Sequence, residues 1–294
     1  MLRALLVLLA TAALGAATVI LLTWRYHERI VWQPPRGPHP EPAGVVGVRR
    51  VDYAAADGQP LFGYLVTPPA WSASGEVLLA FHGNAETAAH VVPWAREVAR
   101  RTGWALLVAE SRGYGGLPGR PAYEGSRADA LAAYRWVRDI LGVPPGHVGL
   151  YGYSLGSAVA AELAAELGDA DRPAVLVLQA PFSSTHEMAR AIAPRWLSAA
   201  WPWIGRVPFD TRRRVAATDA PVWVVHGEAD RVVPVGMGRA VHAAARRPGG
   251  LLVVAGADHV DVPLVGGARY WAFLAEALAA AGARGRAALG GPGR

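Results

Sequence analysis

An α/β architecture, a mostly parallel sheet with helices on both faces, is what this sequence predicts, and three observations carry the prediction. Short uninterrupted apolar runs alternate with longer stretches at helical spacing, the pattern of strands buried on both sides. A serine stands between two glycines, Gly152-Tyr153-Ser154-Leu155-Gly156, where an apolar run passes into an alanine-rich helical stretch. Four segments rich in polar and reactive side chains each follow an apolar run, and in an open parallel sheet ligands bind beyond the carboxyl ends of the strands.

The chain has 294 residues, enough for one large domain with a sizeable core. Its 52% hydrophobic content is high, and much of the excess sits at the start, where residues 4–23 carry no charge. About 20 helical residues at ~1.5 Å each cover the ~30 Å hydrocarbon core of a bilayer. Trp24 and Tyr26 follow as interfacial aromatics, then Arg25 and Arg29 close the segment. Residues 1–32 therefore read as a single-pass membrane anchor. A cleaved signal peptide ending near Gly15-Ala16-Ala17 is the competing reading, and the continuing apolar run at Val19 to Leu22 argues against it. Arg3 on one side and Arg25, Arg29 and Arg36 on the other leave the orientation open.

Residues 33–44 are proline-rich and read as a stiff linker holding the domain off the bilayer. Strands are expected at 45–53 and 61–67, joined through a turn at Asp57-Gly58. The alternating pattern then gives a strand at 77–81 and a helix at 88–100 with Pro93 in its first turn. A strand at 105–109, a helix at 127–141 and a strand at 148–152 come next, followed by the helix after Ser154 and a strand at 174–179. The last strands are expected at 222–225 and 251–254, with helices at 236–245 and 268–281. The domain spans 45–281, and residues 282–294, mostly glycine, alanine and arginine, read as a disordered tail.

There is no cysteine, which excludes disulfides, thiolate metal sites and a cysteine nucleophile. The net charge of +6 comes from arginine alone, since lysine is absent. No aromatic-interleaved basic stripe accompanies it, which argues against nucleic-acid binding, and a basic surface suits a protein tethered to anionic lipid.

A serine hydroxyl is a poor nucleophile at neutral pH and needs a base. His259 follows the last strand and is the candidate; His82 and His226 each open a His-Gly pair at a strand end and read as loop-bracing residues. The base needs a carboxylate to hold its tautomer, and Asp230 stands in the right loop, with Glu228 and Asp258 as rivals. The negative oxygen of a tetrahedral intermediate needs backbone donors. Leu155, directly after the serine at a helix start, and Asn84, in the loop after 77–81, are the candidates.

At this point the chain resembles the α/β-hydrolase superfamily, and within it the membrane-anchored, small-lid serine hydrolases that include ABHD-type acyl hydrolases and bacterial relatives. The matching segments are Phe81-His82-Gly83-Asn84-Ala85, Ser111-Arg112-Gly113-Tyr114-Gly115, the serine motif, and Val225-His226-Gly227 through Asp230 to Val233-Pro234. The order serine, acid, histidine is that of the superfamily. Two positions depart from the pattern: Glu110-Ser111 where relatives carry an aromatic residue, and Val260 where they often carry Asn.

The resemblance implies Ser154, Asp230 and His259 as catalytic residues of a hydrolase cleaving carboxylic esters or thioesters of acyl groups, with no cofactor and no metal. Its substrate would be a small or lipid-like acyl ester. A peptidase or amidase on the same residues, or a catalytically silent membrane scaffold, are the alternatives. Residues 181–220 read as a short helical lid, either packing on the sheet edge or walling an acyl chain with Trp196, Trp201 and Trp203. Oligomeric state is not legible.

Overall fold

The apolar runs fold as eight strands of one sheet: β1 (Val48–Ala54), β2 (Pro60–Val66), β3 (Val77–Phe81), β4 (Ala105–Ala109), β5 (Val148–Tyr153), β6 (Leu176–Gln179), β7 (Val222–Gly227) and β8 (Pro248–Val254). The computed structural model describes residues 1–37, 41–72 and 75–289. Across the sheet the order is β1-β2-β4-β3-β5-β6-β7-β8. β2 runs antiparallel to β1 and to β4, and the remaining pairs are parallel. Gly58, at φ +80°, makes the turn between β1 and β2, its N–H donating to Ala55 O at 2.9 Å.

Strand alternation splits the core in two. Leu79, Phe81, Leu107 and Leu150 face one layer of helices, α3 (Tyr123–Arg135), α4 (Leu155–Glu166), α7 (Thr211–Ala217) and α8 (Val235–Ala244). Leu78, Ala80, Leu106 and Val108 face α2 (Ala88–Thr102) and α9 (Val262–Leu289). α4 is buried along nearly its whole length, which its run of alanines permits at close approach to the sheet.

Several boundaries differ from the sequence reading. α2 begins at Ala88, with the Thr87 N–H donating to His90 Nδ1 at 3.1 Å, so Pro93 lies inside the helix rather than in its first turn. Pro93 is exposed, and the carbonyl left without its N–H partner can face water. α3 starts at Tyr123 and passes into a wide π-type turn at Trp136–Ile140. α9 kinks at Gly267 (φ +47°) and runs to Leu289, past the expected end at 281; residues 290–294 of the expected tail lie outside the described residues.

The lid segment folds as α5 (Thr185–Ile192), α6 (Arg195–Ile204) and then α7. The N-terminal residues form one long helix, α1 (Leu2–Val31). Its most apolar window has a mean hydropathy of 2.6 and is unburied, so it is a candidate transmembrane span by length and composition. The helix is not held away from the domain as a stiff linker would hold it. Thr23 and His27 are buried, the His27 ring lies 4.7 Å from that of Trp201 in α6, and buried Trp32 lies 6.1 Å from Phe209. Of the linker, residues 38–40 lie outside the described residues.

Leu150 sits at the centre of the sheet with no exposure. Leu150→Ala is expected to cost about 2–5 kcal/mol in urea unfolding, by lost burial and a residual cavity.

Candidate active site

β5 ends at Tyr153 and α4 begins at Leu155, so the whole reversal falls on Ser154. Its backbone sits at φ 52°, ψ −117°, a conformation that costs of order 1–3 kcal/mol and persists only where the surroundings impose it. The surroundings are backbone. A Cβ on Gly152 would fall against Gly156 O, and one on Gly156 against Phe81 O and His82 O. The Ser154 N–H donates to Gln179 O at 2.9 Å and fixes the turn to β6.

His259 lies in the β8–α9 loop, with Nε2 at 2.9 Å from Ser154 Oγ and Nδ1 at 2.7 Å from Asp230 Oδ2. Nδ1–H donates to the carboxylate, which leaves the Nε2 lone pair for the serine proton. Tyr153 braces the histidine from below: its OH donates to His259 O at 3.1 Å and the two rings lie 5.2 Å apart. Asp230 itself is tied down through Oδ1, which accepts from the N–H groups of Val232 (2.9 Å) and Val233 (2.7 Å). Burial works to raise its carboxyl, but hydrogen bonds from His226, His259 and Val233 N–H outweigh that and hold it well below the usual carboxylate range.

The rivals fall out by contact. Glu228 is exposed. Asp258 takes the Arg231 N–H at 3.0 Å and the Arg231 guanidinium, and those bonds with the His259 N–H hold its carboxyl down at about 2. His226 donates Nε2–H to Val233 O at 2.9 Å, with Asp230 Oδ2 at 3.2 Å, so it buttresses the acid loop. His82 contacts Gly83 O through Nδ1 and Glu110 through Nε2, each at 2.8 Å. Burial alone would push the His82 imidazole down; the Glu110 carboxylate, by its charge and hydrogen bond, lifts it above its ordinary value.

Glu110, of the Glu110-Ser111 pair that is one of the two departures from the resembled pattern, thus has a structural account. Its second oxygen accepts the Ala88 N–H at the start of α2 at 2.9 Å. Parallel pairing of Phe81 with Ala109 places His82 and Glu110 side by side at the ends of β3 and β4, a neighbourhood readable from strand register. The side chain of Asn84 was not singled out by the sequence. Its Nδ2 donates to Val31 O at 2.6 Å, and its Oδ1 accepts from Gln33 N–H at 2.8 Å and from the Tyr114 hydroxyl at 2.7 Å. With its side chain so engaged, Asn84 offers its backbone N–H as a candidate oxyanion donor, and neither that N–H nor the Leu155 N–H donates to a group among the described residues.

The lid tryptophans separate. Trp201 is taken up against His27 of α1, while Trp196 (48% exposed) and Trp203 (80%) face outward. Two surface clefts of about 610 and 550 Å³ lie beside Trp71 and beside Trp136, and neither is lined by Ser154.

A family model described as the alpha/beta hydrolase fold matches residues 76–200. An uncharacterized protein of Mycobacterium tuberculosis is 35% identical over 259 residues, 88% of this chain and 89% of that one. The chain belongs to the α/β-hydrolase superfamily. Among its ABHD-type relatives, the lysophosphatidylserine lipase ABHD12 of Danio rerio is 30% identical over 186 residues, 58% of this α/β-hydrolase and 48% of the lipase. The fold is shared with an esterase of Pyrococcus furiosus, at a TM-score of 0.65 and 19% identity over 85% of this chain and 97% of that one.

A carboxyl held below its unfolded value contributes stability that is present above ~3.9 and is lost as pH falls through the folded value. The gap in urea midpoint between the native protein and Asp230→Asn should therefore narrow as pH is lowered from about 5 to about 2. A constant gap would mean that Asp230 gains nothing from its bonds. Gly156→Ala should lower the thermal midpoint sharply, because the backbone carbonyls it meets cannot rotate away.

Proposed function

We propose that the protein is a membrane-anchored serine hydrolase cleaving carboxylic esters or thioesters of acyl groups through an acyl-enzyme. The observation that carries the reading is the continuous hydrogen-bonded line from Ser154 Oγ through His259 to Asp230. Ser154 attacks the acyl carbonyl as His259 Nε2 takes its proton, and Asp230 stabilises the imidazolium. The Asn84 and Leu155 N–H groups receive the negative oxygen, Leu155 with the added field of the α4 N-terminus. His259 then protonates the leaving alcohol or thiol, and water attacks the acyl-serine with His259 again as base. The lipase and esterase among the similar proteins support an acyl ester as substrate class. Support for anchoring comes from the unburied apolar window of α1.

Ser154→Ala should abolish fluorophosphonate labelling and lower kcat on p-nitrophenyl esters by about 10⁴–10⁶-fold. Labelling retained in that variant would sink the assignment, and absence of turnover by the native protein on every ester and amide tried would favour a silent scaffold. For the lid, Trp201→Ala and Trp203→Ala should each shift the chain-length profile on graded acyl esters if an acyl chain lies against them; unchanged profiles would reduce the lid to packing. The full chain should stay in the membrane pellet through alkaline carbonate, and its release would remove the anchor from the reading.

A further inference from the structure

Most of the buried or half-buried arginines are neutralised: Arg112 by Asp57 and Asp129, Arg127 by Glu124 and Glu166, Arg214 by Glu162. Four exposed arginines converge without carboxylate partners. Arg25 and Arg29 from α1, Arg120 from the loop before α3, and Arg206 after α6 line one pocket of about 180 Å³, and none of the four is ion-paired among the described residues. Glu28 lines the same pocket, so its charged groups sum to four positive and one negative, a net +3. Arg25 and Arg29 both lie 5.5 Å from the Tyr26 ring, and Arg206 lies 5.5 Å from the Trp24 ring. Aromatic faces orient the guanidiniums but do not neutralise them.

Three separate segments bring like charges together here, and an anion seated among them would relieve the repulsion. At ~30 Å³ per water, the pocket has room for roughly six waters, which suits a phosphate group, and its guanidinium lining disfavours an acyl chain. Its place in the chain selects the source of that phosphate. Arg25 stands two residues beyond the end of the uncharged run 4–23, flanked by Trp24 and Tyr26 as at a headgroup layer. The last turns of α1 are seated on the lid through His27 and Trp201, so these arginines are fixed relative to the domain.

The pocket also touches the site. Buried Trp32 lines it, and the next residue, Gln33, donates its N–H to the Asn84 side chain, in the loop that presents the candidate oxyanion donor. We propose that this pocket binds the phosphate of an anionic phospholipid headgroup through Arg25, Arg29, Arg120 and Arg206, and that the bound headgroup fixes the Asn84 loop through Trp32 and Gln33. The proposal rests on the membrane-anchored reading above. The lipid is a fixed ligand of the juxtamembrane turn and not the ester that is cleaved.

The test uses the full chain with Arg120→Gln and Arg206→Gln combined, both exposed and outside the triad, against a charge-matched control, Arg239→Gln with Arg269→Gln. Native mass spectrometry in detergent with added phosphatidylglycerol should show one retained lipid on the native chain and on the control. Retention should fall about tenfold or more in the pocket variant. Equal retention in all three proteins overturns the site, and displacement of the lipid by millimolar inorganic phosphate makes it a free-anion site instead.

Turnover is then read on water-soluble p-nitrophenyl acetate after reconstitution into phosphatidylcholine vesicles with and without phosphatidylglycerol. The anionic lipid should raise kcat several-fold with little change in KM for the native chain and the control, and should leave the pocket variant at its phosphatidylcholine rate. A pocket variant that responds like the native chain overturns the link to Asn84. Fluorophosphonate labelling run alongside separates these results from failure of the serine-hydrolase reading, which would show as no labelling in any vesicle.

Discussion

The site depends on one steric constraint, the backbone-to-backbone contact among the end of β3, the end of β5 and the start of α4. Gly156 lies against Phe81 O and His82 O, and Gly152 lies against Gly156 O. No side chain can be inserted between them. That contact forces the reversal onto Ser154 at positive φ and sets its hydroxyl above the sheet edge. It also brings the first N–H of α4 next to the loop carrying Asn84. Position of the proposed nucleophile and position of the two candidate donors are thus one geometric fact, and the fully buried strands β3 and β4 supply the rigidity that sustains the strain.

Around that contact, the sheet edge is laced by histidine–carboxylate pairs taken out of water: His82 with Glu110, and His226 and His259 with Asp230. Buried hydrogen bonds of this kind add little net stability, because desolvation of the polar groups offsets most of the attraction. Here they act through geometry. Glu110 joins the β3 loop to the start of α2, and Asp230 gathers two histidines and two backbone N–H groups on one carboxylate. A carboxylate with that many donors cannot swing, so the His259 ring it orients cannot either.

How much of this was legible in the sequence depended on how local the cause was. The bounds of the strands at 77–81 and 105–109 were readable because apolar runs end abruptly there in His82-Gly83 and Glu110-Ser111. The serine motif, His259 and Asp230 were readable because each chemical requirement fixes a residue type at a strand end, and the structure brings all three within hydrogen-bond reach. The side-chain role of Asn84 was not, because its partners are Val31 and Gln33, 53 and 51 residues away. Trp201 presented the same difficulty. Its spacing marks an apolar helix face, but only tertiary packing shows that His27 lies against it.

The packing of α1 changes what kind of segment it is. A helix joined to a domain through a free proline-rich spacer would tumble independently, and nothing at the membrane surface would reach the site. Here the last turns of α1 contact α6, Trp32 is buried beside Phe209, and Asn84 clamps the chain on both sides of Trp32. Neutral hydrogen bonds of this kind contribute only about 1 kcal/mol each. Their importance is that donor and acceptor belong to the helix end and to the loop beside Ser154, so neither can shift by more than a hydrogen-bond length without the other. On the proposed reading of α1 as an anchor, the membrane therefore sets the height and tilt of the candidate active-site edge through Asn84, whose backbone N–H is a proposed oxyanion donor.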